Sequence, residues 1–150
     1  IGQALLKFGL SAERPLMILS DNSLDHLRIS FGALWIGVPF APISPAYALV
    51  ATDHAKLRHI SDTLTPGLVF VADGAAYARA LAACVGDGVP VVSAGAPVPG
   101  RETLSLAALR EAVPGAELDA AHAAIGPDTI AKFLFTSGST PTACGAATCR

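Results

Sequence analysis

Leu68-Val69-Phe70-Val71-Ala72 is the stretch that decides the fold. Its five apolar residues are bounded by Thr65-Pro66-Gly67 before and Asp73 after. A strand with one wet face alternates apolar and polar residues. An unbroken run this short predicts a strand buried on both faces, as in a parallel sheet. Parallel strands need crossover connections, usually helices, and the flanking sequence supplies them. Upstream, Thr52 or Asp53 can cap a helix carrying Leu57, Ile60 and Leu64, which Thr65-Pro66-Gly67 stops. Downstream, Asp73 can cap a helix with Tyr77, Leu81, Cys84 and Val85. Gly86-Asp87-Gly88 ends that helix, and Val89 to Val92 predicts the next strand.

The same alternation continues outward. Ala4, Leu5 and Phe8 predict an opening helix, and Pro15-Leu16-Met17-Ile18-Leu19-Ser20 a buried strand. Asp21-Asn22-Ser23 then offers cap side chains to a helix with Leu24, Leu27, Phe31, Leu34 and Trp35 at helical spacing, stopped by Gly37. Phe31 and Trp35 are expected in the core, Cys84 as a small buried hydrophobe, and His26 and His122 on helix surfaces. Val38 to Ile43 is apolar, but Pro39 and Pro42 remove two donors, which predicts an edge strand or an extended segment. Ser44-Pro45-Ala46-Tyr47 reads as a turn and Ala94 to Gly100 as a loop. Thr103 is expected to cap a helix with Leu106, Leu109 and Val113. Glu117 to Ile125 is weakly helical, and Ile130 to Phe135 is the last strand. Strands alternating with helices predict an α/β fold, a mainly parallel sheet flanked by helices in one domain.

Composition narrows the function classes. Of 150 residues, 52% are hydrophobic and 15% charged, against roughly 25% charged in an ordinary globular chain. The net charge is −2 with no basic block, and aromatics are 6%, which argues against a nucleic-acid partner. No apolar run approaches the ~18 residues of a membrane span. Three cysteines make no disulfide framework, and the start at Ile1 shows neither a basic segment nor a cleavage site. A cytoplasmic setting is therefore expected.

Chemistry is expected where the last strand ends. It runs into Thr136-Ser137-Gly138-Ser139-Thr140, four hydroxyls around one glycine. Glycine lets the backbone turn its N–H groups toward a ligand, and consecutive N–H groups with hydroxyls make a cradle for phosphate oxygens. Ligands of open α/β sheets bind at the carboxyl ends of strands. The competing reading is a solvated Ser/Thr turn.

Phe133-Leu134-Phe135-Thr136-Ser137-Gly138-Ser139-Thr140 resembles the phosphate-loop signature, T-S-G-S-T-G-x-P-K, of the adenylate-forming enzymes: acyl-CoA synthetases, luciferases and nonribosomal-peptide adenylation domains. Gly32-Ala33-Leu34-Trp35-Ile36-Gly37-Val38-Pro39 is similar to a second region of that family. Ser44-Pro45-Ala46-Tyr47 and His54-Ala55-Lys56-Leu57-Arg58-His59-Ile60 look most like feruloyl-CoA synthetases. The resemblance covers about Glu13 to Thr140 and implies a partial N-terminal domain over residues 1–140. It implies a two-step ligase: a carboxylic acid such as ferulate attacks the α-phosphate of ATP, and coenzyme A then displaces AMP. Thr136, Ser137, Gly138, Ser139 and Thr140 would hold the β- and γ-phosphates, with Mg2+ bridging them. The family's catalytic lysine, acid pocket and small C-terminal domain lie beyond the matched region, so no catalytic residue is assigned and the 150 residues alone are expected to be inactive.

After Thr140 the pattern departs. Pro141 stands where the family has glycine, and no lysine follows Lys132. Residues 141–150 carry no large apolar side chain and two of the three cysteines, as out-of-frame reading of GC-rich codons would give. They are expected to be non-family sequence.

Rival motifs are weaker. Gly138 and Gly145 lack the Lys-Ser/Thr of a P-loop, and Gly86-Asp87-Gly88 lacks the third glycine of a dinucleotide fingerprint. Ser137 and Ser139 do not sit in G-x-S-x-G. Cys144 with Cys149, and His54 with His59, lack metal-ligand spacing. A non-catalytic fragment and a generic nucleotide-binding module are the alternatives to a ligase.

Overall fold

The computed structural model describes residues 1–135 and the backbone of 146–149. The sheet has seven strands: β1 (Leu16–Leu19), β2 (Phe40–Ile43), β3 (Leu68–Val71), β4 (Val91–Ser93), β5 (Leu104–Ser105), β6 (Lys132–Phe135) and β7 (Ala146–Cys149). Their order is β5-β4-β3-β1-β2-β6-β7. The first six strands in sequence are parallel, and β7 closes antiparallel on β6. The connecting helices are α1 (Gly2–Leu5), α2 (Leu24–Trp35), α3 (Ala46–Leu49), α4 (Ala55–Leu64), α5 (Gly74–Cys84), α6 (Leu106–Arg110) and α7 (Ala116–Ala123). Among the described residues no helix is long and apolar enough to cross a membrane.

The unbroken apolar strands are buried on both sides, as expected. Successive strand residues point to opposite faces. Met17, Leu19, Val69 and Val71 pack on one face with Leu57, Ile60 and Leu81 of α4 and α5. Leu16, Ile18, Leu68 and Phe70 pack on the other with Leu5, Ile29, Leu106 and Leu109 of α1, α2 and α6.

Four local expectations need correction. β2 is interior, between β1 and β6, despite Pro42. The Leu16 amide donates to Pro39 O, and the Phe40 amide donates to Ala131 O on the opposite side. Alternation along the strand therefore turns Pro42 toward β6. β2 and β6 are in register at Phe40 and Lys132, and Pro42, which has no N–H, leaves one ladder bond to β6 unmade. Second, Phe31 and Trp35 are 63% and 53% exposed, not core. α2 buries the adjoining face through Ile29, Ser30 and Ala33. Third, the cap of α6 is Ser105, whose Oγ accepts from the Ala108 amide. The Thr103 hydroxyl instead accepts from the Val98 amide and donates to Arg101 O. Fourth, Ser44 to Tyr47 is the entry to the short helix α3. Ser23 and Asp73 do cap α2 and α5, accepting from the amides of His26 and Ala76.

Asp73 does more than cap. Its Oδ1 accepts from the Ala76 amide at 2.9 Å and its Oδ2 from the Ala96 amide at 3.1 Å, tying the start of α5 to the loop after β4. Gly74 donates to Ala96 O at 2.7 Å. A Cβ at Gly74 would stand 2.5 Å from the Val98 nitrogen, so only glycine admits this loop. The hydrogen bond from Ala76, and next that from Ala96, holds the Asp73 carboxyl below its usual 3.8. A depressed folded-state pKa gives stability that is present above the unfolded value and lost as pH falls through the folded one. Wild type is therefore expected to melt above Asp73→Asn at pH 7. The gap should close as pH drops below about 4, and melting curves at several pH values check this.

Candidate functional site

The strand order locates the ligand-binding edge. From β1 the chain steps to β2 on one side, then returns across β1 to β3, β4 and β5 on the other. Crossovers between parallel strands are right-handed, so reversing direction moves the connecting helix to the opposite face. The two core clusters agree: α2 lies on one face, and α4 and α5 on the other. The chain therefore diverges after β1 and after β3, which opens a crevice at their carboxyl ends.

Ser20, Asp21 and Asn22 leave β1 here, opposite Ala72 and Asp73 leaving β3. Ser20 is buried, and its Oγ is 2.9 Å from His26 Nδ1 on the first turn of α2. Burial, and next the negative charge of Asp21, push the Tyr77 hydroxyl above its usual 10.0. Beside this crevice lies an open recess of about 510 Å³ lined by Asn22, Ser23, Leu24, His26 and Leu27. The Ser20–His26 pair was not foreseen from sequence. The residues stand six apart across a strand–helix bend, and only the bend brings them together.

β6 feeds the same edge. Phe40 aligns with both Leu16 and Lys132, so Phe135 lies level with Ile43 and Leu19. Phe135 is paired with Ala146 of β7, and residues 136–145 join the two. The candidate phosphate cradle, Thr136, Ser137, Gly138, Ser139 and Thr140, lies outside the described residues. The described structure shows what precedes these residues: the end of a parallel strand at the sheet's carboxyl edge. Phe133 and Phe135 pack partly buried against the α4 side. They line a trough of about 300 Å³ with Glu13 and Thr65.

The histidines stand as separate side chains. His54 is buried at the N-cap of α4 with φ of 51°, and His59 on the same helix is exposed. His122 stacks on Trp35 with ring centroids 4.0 Å apart. Among the described residues no group of three or more His, Cys, Asp or Glu could hold a metal ion. Cys84 is buried as expected, and burial pushes its thiol pKa up.

The family model of the AMP-binding enzymes matches residues 1–147. The chain belongs to that family. No curated protein matches it significantly, but solved structures of adenylate-forming enzymes do. VinN in complex with L-aspartate is 22% identical, with a TM-score of 0.62 over 99% of this chain and 38% of its own. The acyl-CoA synthetase of Brucella canis is 21% identical, with a TM-score of 0.60 over 98% of this chain and 25% of its own. A red-emitting luciferase from Phrixothrix hirtus is 17% identical, with a TM-score of 0.63 over 92% and 26%. At these identities the likeness is one of fold. The chain spans between 25% and 38% of the length of these relatives. The matched range continues past Thr140 to residue 147.

Proposed function

We propose that these residues form the nucleotide-phosphate-holding part of an ATP-dependent carboxylic acid–CoA ligase. The observation that carries the reading is a family match running through the hydroxyl-bearing segment that follows β6 at the sheet's carboxyl edge. Thr136, Ser137, Ser139 and Thr140 would donate hydroxyl hydrogens to phosphate oxygens. Gly138 would let the backbone turn its N–H groups the same way. Hydrogen bonds to a charged partner contribute about 1.5–3 kcal/mol each, so two or three suffice to orient a triphosphate. Their role is positioning and charge stabilisation in acyl-adenylate formation, not proton transfer.

The donors of residues 136–140 suit phosphate oxygens better than a metal ion. Mg2+ would arrive on the nucleotide, neutralising phosphate charge when bound. The acid is proposed to be aromatic, of the ferulate type, from the likeness of Ser44–Tyr47 and His54–Ile60 to feruloyl-CoA synthetases. Coenzyme A would be the second substrate. Residues 141–150 are proposed to depart from family sequence through a change of reading frame, which resequencing the coding DNA tests.

The test is a thermal-shift titration with Mg-ATP on wild type and on Ser137→Ala/Ser139→Ala. A ligand that binds only the folded state stabilises it by about 2.7 kcal/mol at a hundredfold excess over Kd. A rise of several degrees for wild type, much reduced in the variant, is expected. No rise, or an equal rise in both, contradicts the reading.

A further inference from the structure

We propose that the His122 ring, stacked on Trp35, clamps the joint between β2 and β6 and so positions the start of the hydroxyl segment that follows β6. The link to that segment rests on the phosphate reading above; the clamp itself does not.

α7 is lightly anchored, and none of its residues is buried. The Gly115 amide donates to Gln3 Oε1 at 2.9 Å, and Leu118 and Ala121 pack partly buried against the cluster beneath α1 and α2. Its far end is held at His122. The imidazole lies flat on the Trp35 indole, with the two planes 9° apart. A backbone carbonyl can only accept, so the Nδ1–H donates to Trp35 O at 3.1 Å. Trp35 is the last residue of α2, where carbonyls lack partners within the helix. One side chain thus caps α2 and stacks on its last ring.

From that stack two segments run side by side into the sheet. Gly37, just beyond Trp35, has φ of 70°, and a Cβ there would stand 3.2 Å from Ile125 Cγ1 and 3.7 Å from Thr129 Cγ2. The turn between Ile125 and β6 is closed on itself. The Gly126 amide donates to the Thr129 hydroxyl at 2.9 Å, and the Thr129 amide to Gly126 O at 3.0 Å. The Phe40 amide then donates to Ala131 O at 3.3 Å, and Phe40 is level with Lys132. Trp35, Gly37 and Phe40 therefore meet His122, Ile125 and Ala131 in the same order.

This joint needs a clamp, because Pro42 has no N–H to give to β6. A slip of one residue would turn Phe133 and Phe135 away from the α4 side, where they now pack. It would also move the end of β6 by about 3.3 Å, the rise of one strand residue. His122 is thus a positioning residue, acting through β6.

The experiment follows hydrogen exchange at two amides by NMR in the full 150-residue chain. The Phe40 amide, bonded to Ala131 O, reports the β2–β6 joint; the Leu16 amide, bonded to Pro39 O, reports the neighbouring β1–β2 joint. His122→Ala should speed exchange at Phe40 about tenfold and leave Leu16 within about twofold of wild type. His122→Phe, which keeps a ring on Trp35, should restore most of the protection. Equal acceleration at both amides would mean a plain loss of stability and overturns the proposal. So does an unmoved Phe40, or a Phe variant no better protected than the Ala variant. Titrating the same samples with Mg-ATP tests the link to residues 136–140. Kd should rise several-fold in the Ala variant and recover in the Phe variant. Binding by wild type with an unchanged Kd in the Ala variant severs that link. No binding by wild type contradicts the phosphate reading alone, and exchange at Phe40 still decides the clamp.

Discussion

Incubated with ATP, Mg2+, an aromatic acid and labelled pyrophosphate, the purified 150-residue chain is expected to give no exchange above background. Forming an acyl-adenylate needs the acid carboxylate and the α-phosphate held together in attack geometry. That positioning supplies about 7–11 kcal/mol of an enzyme's barrier reduction. The proposed cradle would grip only the phosphates, while the chain spans 25% to 38% of the relatives compared here. Binding phosphate without the acid lowers no barrier. Clear turnover with any aromatic acid would mean that the described sheet already carries an acid site, and the proposed division of labour would be wrong.

Phe70→Ala is expected to destabilise the chain by about 3–5 kcal/mol. Phe70 is fully buried at the middle of β3, on the face packed by α1, α2 and α6. Removing the ring loses its transfer free energy and leaves a cavity that a close-packed sheet cannot collapse around. Against a total stability of about 5–15 kcal/mol, that is a fifth of the margin or more. Urea melts followed by circular dichroism would measure it. A loss under about 1 kcal/mol would show that β3 is not the strand that both layers clamp.

The sheet was legible because burial on both faces erases alternation. Leu16–Leu19 and Leu68–Val71 announce themselves as interior parallel strands, and Ser23 and Asp73 announce the helices after them. Position within the sheet was less legible. Pro42 faces β6 and costs one ladder bond there, and that an interior strand tolerates the loss is a tertiary fact. Phe31 and Trp35 show a different limit. Helical spacing says that side chains share a face, but not whether anything covers it. Apolar residues at helical spacing look like core until the structure shows one side open. The switch-point crevice needed the strand order, which no local pattern contains. The phosphate role proposed for the hydroxyl segment after β6, which lies outside the described residues, rests on its residue types and on the resemblance.

The most direct test of the central claim is an amide NMR titration of the wild-type chain with Mg-ATP. The account predicts the largest shift changes at Thr136 to Thr140 and the adjoining Phe135, with smaller changes at Ser20 to Ser23 across the same edge. Changes centred on Ser20 to Asn22 and Ala72 to Asp73, with Thr136 to Thr140 unmoved, would contradict it and assign the nucleotide to the crevice between β1 and β3.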